Sequence, residues 1–454
     1  MNILLAFLFA LTIAFGTEND ITHRPKSFAH LDAQAVFVDF EEAIYAITYN
    51  IDQKKADVVA RFKMNIVEAG YPIFDLVQEP TSITLDGNEV TASEISTPSN
   101  ETKIRVMNKK LSIGSYDLEI KVPLKNLIEY TNSGVKSAFW VTDLEDRYYL
   151  ERYLPVNLEY DRVKMTFHLN FIGLKTKQHI FANGLVNWTS ETQATIEFPE
   201  HFTVNSLYFH TTPVGSVKLI ESTFKSVSGR DIPVSVYMAE ATNATTILNN
   251  LKNYAQRTML ELEGDYGPFP HASLIIYNAS LASMGLGGME YAGATVTNEN
   301  ALEHEMFHSY FARGVTPANG NAGWIDEALA SWRDGGYRRL ASLSGSSSMA
   351  AHAPYTRKTD AAAYGFGAQF MSFLDHKFAH KGGLKTFMNK LLEKKLFEPL
   401  FTEDFIQEME LFYGQKVQAI FNQYVYKKPE WEKLQSEQHQ HHHKASYAEL
   451  QSLL

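Results

Sequence analysis

Apolar and polar positions alternate along the first half of the chain. Tyr45, Ile47, Tyr49 and Ile51 interleave with Ala46, Thr48, Asn50 and Asp52, the two-residue period of a strand with one buried face. Ser82 to Leu85 runs into Asp86-Gly87, the residue pair of a tight hairpin turn. Met165, Phe167, Leu169 and Phe171 repeat the alternation, and Ala182-Asn183-Gly184 marks another turn. Short strands broken by frequent turns predict a β-sandwich or saddle-like β-domain from about Ala35 to Ile220.

Near Thr242 the period lengthens. Ala244 to Glu263 has helical spacing, ended by Gly264-Asp265-Tyr266-Gly267-Pro268. Leu274 to Tyr277 reads as a strand, followed by a glycine-rich loop and a helix around Ala301 to Phe311. Beyond Ala361 helical patterns dominate: Phe370, Leu374 and Phe378 recur every fourth residue, as do Phe387 and Leu391. The expected fold class is multidomain, β then α+β. Residues 17–220 form the β-domain and 221–435 the second domain, with a polar tail at 436–454. His439, His441, His442 and His443 in that tail read as solvated low-complexity sequence.

Composition narrows the function. Apolar content of 45% with 20% charged residues is that of a globular protein, and 454 residues suit two or three domains. The net charge of −11, without a basic stripe, argues against nucleic acid or an anionic membrane as partner. The absence of cysteine excludes disulfides, thiol catalysis and Cys-ligated zinc. Ile3 to Phe15 is an apolar run interrupted only by Thr12 and followed by Gly16. Residues 1–16 therefore read as an export signal, and the expected location is periplasmic or secreted, without stable membrane insertion.

The chemistry centres on His304-Glu305-Met306-Phe307-His308. Two histidines four apart share a helix face and reach one metal ion, while the intervening glutamate approaches the ion's water without binding the ion. Catalytic zinc takes three protein ligands and keeps one open position, commonly two His and a carboxylate. Trp324-Ile325-Asp326-Glu327-Ala328-Leu329-Ala330 offers a carboxylate on a helix-forming stretch, with eighteen residues between His308 and Glu327. On composition alone Asp326 and Glu303 compete with Glu327 for that place.

H-E-x-x-H, eighteen residues, then Glu in a W-x-x-E-A/G-x-A stretch resembles the gluzincin aminopeptidases related to aminopeptidase N. Val315-Thr316 matches a pair found after the second histidine there, and the resemblance runs from about residue 40 to 400. It implies a thermolysin-like peptidase domain and one Zn2+ ion on His304, His308 and Glu327, with Glu305 as general base. Gly287-Gly288-Met289-Glu290 looks like the family's G-x-M-E-N exopeptidase motif, with Tyr291 in place of its Asn. The glycines admit a substrate backbone, and the resemblance makes Glu290 the anchor for a peptide's free amine.

Tyr364-Gly365-Phe366-Gly367-Ala368 fits the family's Y-x-x-G-A stretch, implying that Tyr364 stabilises the oxyanion. Tyr355 competes for that role, without the Gly-Ala step. Thr142-Asp143 falls near a residue lining the first side-chain pocket, which makes Asp143 a binding candidate. Only about ninety residues follow Tyr364, so relative to larger members the long C-terminal helical domain is missing and a more open cleft is expected. The expected activity is removal of N-terminal residues from peptides. The rivals are a zinc endopeptidase of the same fold and a catalytically silent peptide-binding relative.

Overall fold

The computed structural model describes residues 24–100, 102–157, 161–281 and 286–426. The export segment and the histidine-rich tail lie outside these residues.

The alternating stretches form the strands that their period predicts. Asp39–Asn50 and Lys55–Ile66 are long antiparallel partners, and Lys164–Ile172 joins the other edge of Asp39–Asn50 in parallel. They are central to an eight-stranded sheet that ends in the Ser82–Leu85/Asn88–Val90 hairpin turning at Asp86-Gly87. Five-stranded and four-stranded sheets complete the β-rich part. Its core is aromatic: Phe167 meets Tyr45 and Phe139 edge to face, with ring centroids 5.4 and 5.9 Å apart.

A second core begins with a five-stranded sheet in the order Val217–Lys225, Asp231–Ala239, Leu274–Asn278, Ala294–Thr297, Gly288–Tyr291. Helix α1 (Ala244–Tyr266) lays Leu248, Leu251, Ala255, Met259 and Leu262 along one buried stripe, and its chain reverses at Gly267, whose φ of 96° suits glycine. Helices α2 (Leu302–Phe307) and α3 (Trp324–Asp334) pack together beneath the sheet's last strands. A single π-helical turn, Ala363–Gly367, leads into α4 (Ala368–Phe378). Then follow α5 (Gly383–Lys395), α6 (Thr402–Tyr413) and α7 (Gln418–Tyr424). Trp324 is wholly buried against Phe370, Phe405 and Phe421, which seats α3 in the helical layer. Among the described residues no helix is long and apolar enough to cross a membrane.

Two local expectations are corrected. The helix expected to run to Phe311 stops at Phe307, because the chain turns back at Ala312, with φ 145°, and Phe311 bridges to Val315. The segment expected as a glycine-rich loop is, over Gly288–Tyr291, an antiparallel edge strand paired with Ala294–Thr297.

Candidate metal centre and cleft

His304 lies in the last turn of α2, and His308 follows the helix directly. Glu327 comes from the first turn of α3, where a carboxylate also suits the helix dipole. One ligand atom from each of the three lies within 4.8 Å of the others. Glu327 Oε2 is 3.2 Å from His304 Nε2 and 3.5 Å from His308 Nε2.

The hydrogen bonds behind the imidazoles decide what this arrangement fits. His304 Nδ1 is 2.6 Å from Asp334 Oδ2, and His308 Nδ1 is 3.1 Å from the Phe311 carbonyl oxygen. Each Nδ1 faces an acceptor that keeps a proton there, so each Nε2 could offer its lone pair to a metal ion in the neutral ring. Three bare donors converging at this spacing fit a divalent cation. In the metal-free chain protons supply the charge. Burial disfavours the His304 cation, yet hydrogen bonds to Asp334 and Glu327 raise its pKa to about 10. Burial likewise opposes charge on Glu327, but His308 and His304 hold its carboxyl well below the usual range.

Of the carboxylates that compete on composition, Glu303 turns away to Arg333, at 3.3 Å. Asp326 is buried, and its Oδ1 accepts the Glu327 backbone N–H at 2.8 Å. Tyr355 is settled equally plainly: its hydroxyl donates to the Lys26 carbonyl and its ring packs on Phe28 and Phe37, in the β-rich part. The Tyr364 hydroxyl instead donates to Glu327 Oε1 at 2.7 Å. Burial, then the Glu327 charge, keeps that phenol protonated far above its ordinary pKa.

Glu305 is buried beside the ligands, and burial pushes its pKa up to about 8. The edge strand passes close over it: a Cβ at Gly288 would stand 2.5 Å from Glu305 Cγ and 2.6 Å from its Oε1. A side chain at Gly288 would have to displace that of Glu305. Gly287 is less constrained, its nearest neighbour being Ala301 Cβ at 3.0 Å. Met289 is buried in the β-rich core, so its side chain packs away from open solvent. Glu290 is held by Arg313, with Nη2 2.5 Å from Oε1. Tyr291 is fully buried, and its hydroxyl accepts the Val141 backbone N–H at 3.3 Å.

Val141 leads to Asp143, whose Oδ2 accepts the Thr359 hydroxyl at 3.1 Å and whose carbonyl accepts the Thr359 N–H at 2.7 Å. Burial, then the charges of Glu290 and Glu327, push Asp143 up to about 7, which places it in the same acidic cleft. The segment leading to Tyr364 is thus tied to the β-rich part. Arg357 extends the tie, with Nη1 2.7 Å from Asp75 Oδ2 and Nη2 3.4 Å from Glu151 Oε2. Arg147 adds to this network, with Nη2 2.7 Å from Asp75 Oδ1.

The fold is that of the two-domain M1 zinc metallopeptidases. An M1 zinc metallopeptidase from Deinococcus radiodurans superposes with a TM-score of 0.62 at 15% identity, over 87% of this chain and 96% of that one. Legionella pneumophila aminopeptidase A, in complex with aspartic acid, gives 0.63 at 14% identity, covering 88% of this chain and 51% of its own. Leukotriene A4 hydrolase from Saccharomyces cerevisiae gives 0.64 at 13% identity, with coverage of 87% and 69%. No protein-family model and no curated protein sequence matches the chain.

Proposed function

We propose that this protein is a zinc-dependent aminopeptidase that releases the N-terminal residue of peptides. The observation that carries the reading is the set of three converging donors, His304 Nε2, His308 Nε2 and Glu327 Oε2, with Glu305 buried alongside. The likeness to zinc metallopeptidases, one of them an aminopeptidase, supports it.

His304, His308 and Glu327 would hold one zinc ion, which when bound lowers the pKa of water and polarises the scissile carbonyl. Glu305 accepts a proton from the attacking water and passes one to the departing amine. Tyr364, kept protonated, donates its O–H to the oxygen that gains negative charge. Glu290 accepts hydrogen bonds from the substrate ammonium, which sets the cut at the first peptide bond, and Asp143 lines the pocket for the first side chain. Exported localisation, with residues 1–16 as the signal, belongs to the same proposal.

The test is hydrolysis of aminoacyl fluorogenic amides by zinc-loaded protein, with N-acetylated versions alongside. The reading requires cleavage of free-amine compounds only, abolished by a chelator. Equal cleavage of blocked compounds would make the protein an endopeptidase. Binding of peptides without turnover would make it a silent relative.

A further inference from the structure

Arg313 is a buried residue beside the site that neither the motifs nor the proposed chemistry uses. It is 4% exposed, and its only ion pair among the described residues is with Glu290. Its Nε has no hydrogen-bond partner, and Nη1 reaches only the neighbouring Ala312 carbonyl, at 3.5 Å. Other buried arginines of the chain sit in networks: Arg333 faces Glu261, Glu303 and Asp334, and Arg357 faces Asp75 and Glu151. A buried guanidinium costs several kcal/mol to desolvate, and the charges of Glu290, Asp143 and Asp326 together favour it. That shared charge does not say why Arg313 contacts Glu290 directly, which calls for an explanation of its own.

Its backbone supplies one. The chain turns back after α2, and the Arg313 N–H donates to the carbonyl of His308 at 2.9 Å. The side chain then reaches across to Glu290 Oε1 on the edge strand. One residue thus ties a metal ligand to the carboxylate that would receive the substrate amine. Glu290 has three side-chain torsions and stands on an edge strand, where nothing else among the described residues holds its carboxylate. Its Oε2 has no protein partner among those residues and remains available to a ligand.

We propose that Arg313 is a positioning residue, which fixes Glu290 at a set distance from the metal-ligand helix so that Oε2 meets the ammonium of a bound N-terminal residue. This rests on the aminopeptidase reading. The ammonium and the first carbonyl of a peptide are separated by a fixed number of bonds, so a rigid spacing between their two receptors favours substrates presenting both.

The test uses zinc-loaded holoenzyme carrying Arg313→Gln or Arg313→Lys. The probes are leucinol and N-acetyl-leucinol, which present or mask the amine and contain no peptide bond. Calorimetry of the Gln variant should show leucinol binding weakened by about tenfold or more, the loss expected for a misdirected charged hydrogen bond. N-acetyl-leucinol binding and zinc stoichiometry should not change. With leucyl-aminomethylcoumarin, KM should rise while kcat stays within a few-fold. The Lys variant keeps the charge but lacks the planar fork, so it should fall between wild type and Gln. If the Gln variant does not fold, the Lys variant alone decides by the same ratio of leucinol to N-acetyl-leucinol affinity. An unchanged ratio, or zinc loss with amine selectivity intact, overturns the proposal. Wild-type protein that binds both probes equally would instead sink the aminopeptidase reading itself, which separates the two failures.

Discussion

At the scale of single residues, the centre depends on which atoms are already committed. Asp334 and the Phe311 carbonyl take the Nδ1 protons of His304 and His308, and this leaves both Nε2 atoms free to ligate. Gly288 matters for what it lacks, since a methyl group there would lie within 2.6 Å of the Glu305 carboxylate. Gly288→Ala should displace Glu305 and lower kcat by roughly a hundredfold, the cost of a misplacement near 1 Å. Zinc content measured by mass spectrometry should stay at wild-type level. An alanine variant with full kcat would show that Glu305 tolerates the shift. The convergence of His304, His308 and Glu327 was legible in the sequence, from histidines four apart and a carboxylate on a second helix-forming stretch. Asp334 was half legible: it stands seven residues beyond Glu327, two turns along the same helix. Arg313 was not legible, since its partner arrives from a strand and the turn at Ala312 has no sequence signature.

Among the elements, the segment before Tyr364 carries the most consequence. It is pinned to the β-rich part by Thr359 on Asp143 and by Arg357 on Asp75 and Glu151, and the Tyr149 hydroxyl donates to the Arg357 carbonyl. Arg357→Met should leave Glu151, which is fully buried, without its counter-ion. A loss of about 3 kcal/mol or more is expected, read as a lower urea midpoint. An unchanged midpoint would contradict the buried network. The strands were readable wherever one face is buried and the other wet, as in Tyr45 to Ile51. The long helix was readable from its stripe, but it runs through Gly264 to Tyr266, past the expected end at Glu263. The short α2 was over-extended by sequence reasoning, because helical spacing continues past Phe307 while the backbone turns away. The edge strand Gly288–Tyr291 was read as loop because two glycines mask a pairing set by Ala294–Thr297.

For the whole molecule, two cores meet around the cleft, and the polar groups buried at their junction set its response to pH. His210 is 1% exposed, with Nδ1 2.8 Å from the Tyr237 hydroxyl, and burial lowers its pKa to about 3. The unfolded chain takes up a proton near pH 6.5, whereas the folded chain does not until about pH 3. This residue's contribution is therefore intact above pH 6.5 and is lost as the pH falls. The stability difference between wild type and His210→Asn should shrink by roughly 1 kcal/mol per pH unit from 6.5 to 4.5, followed by denaturant midpoints. A constant difference would show that the imidazole titrates alike in both states.

On the reading proposed above, His304, His308 and Glu327 of α2, its C-terminus and α3 hold one zinc ion. Crystals of zinc-loaded protein, measured on both sides of the zinc absorption edge, test it most directly. A single anomalous peak is expected about 2.0–2.2 Å from His304 Nε2, His308 Nε2 and a Glu327 oxygen. A zinc peak elsewhere, or none among these three side chains in fully loaded crystals, would contradict it.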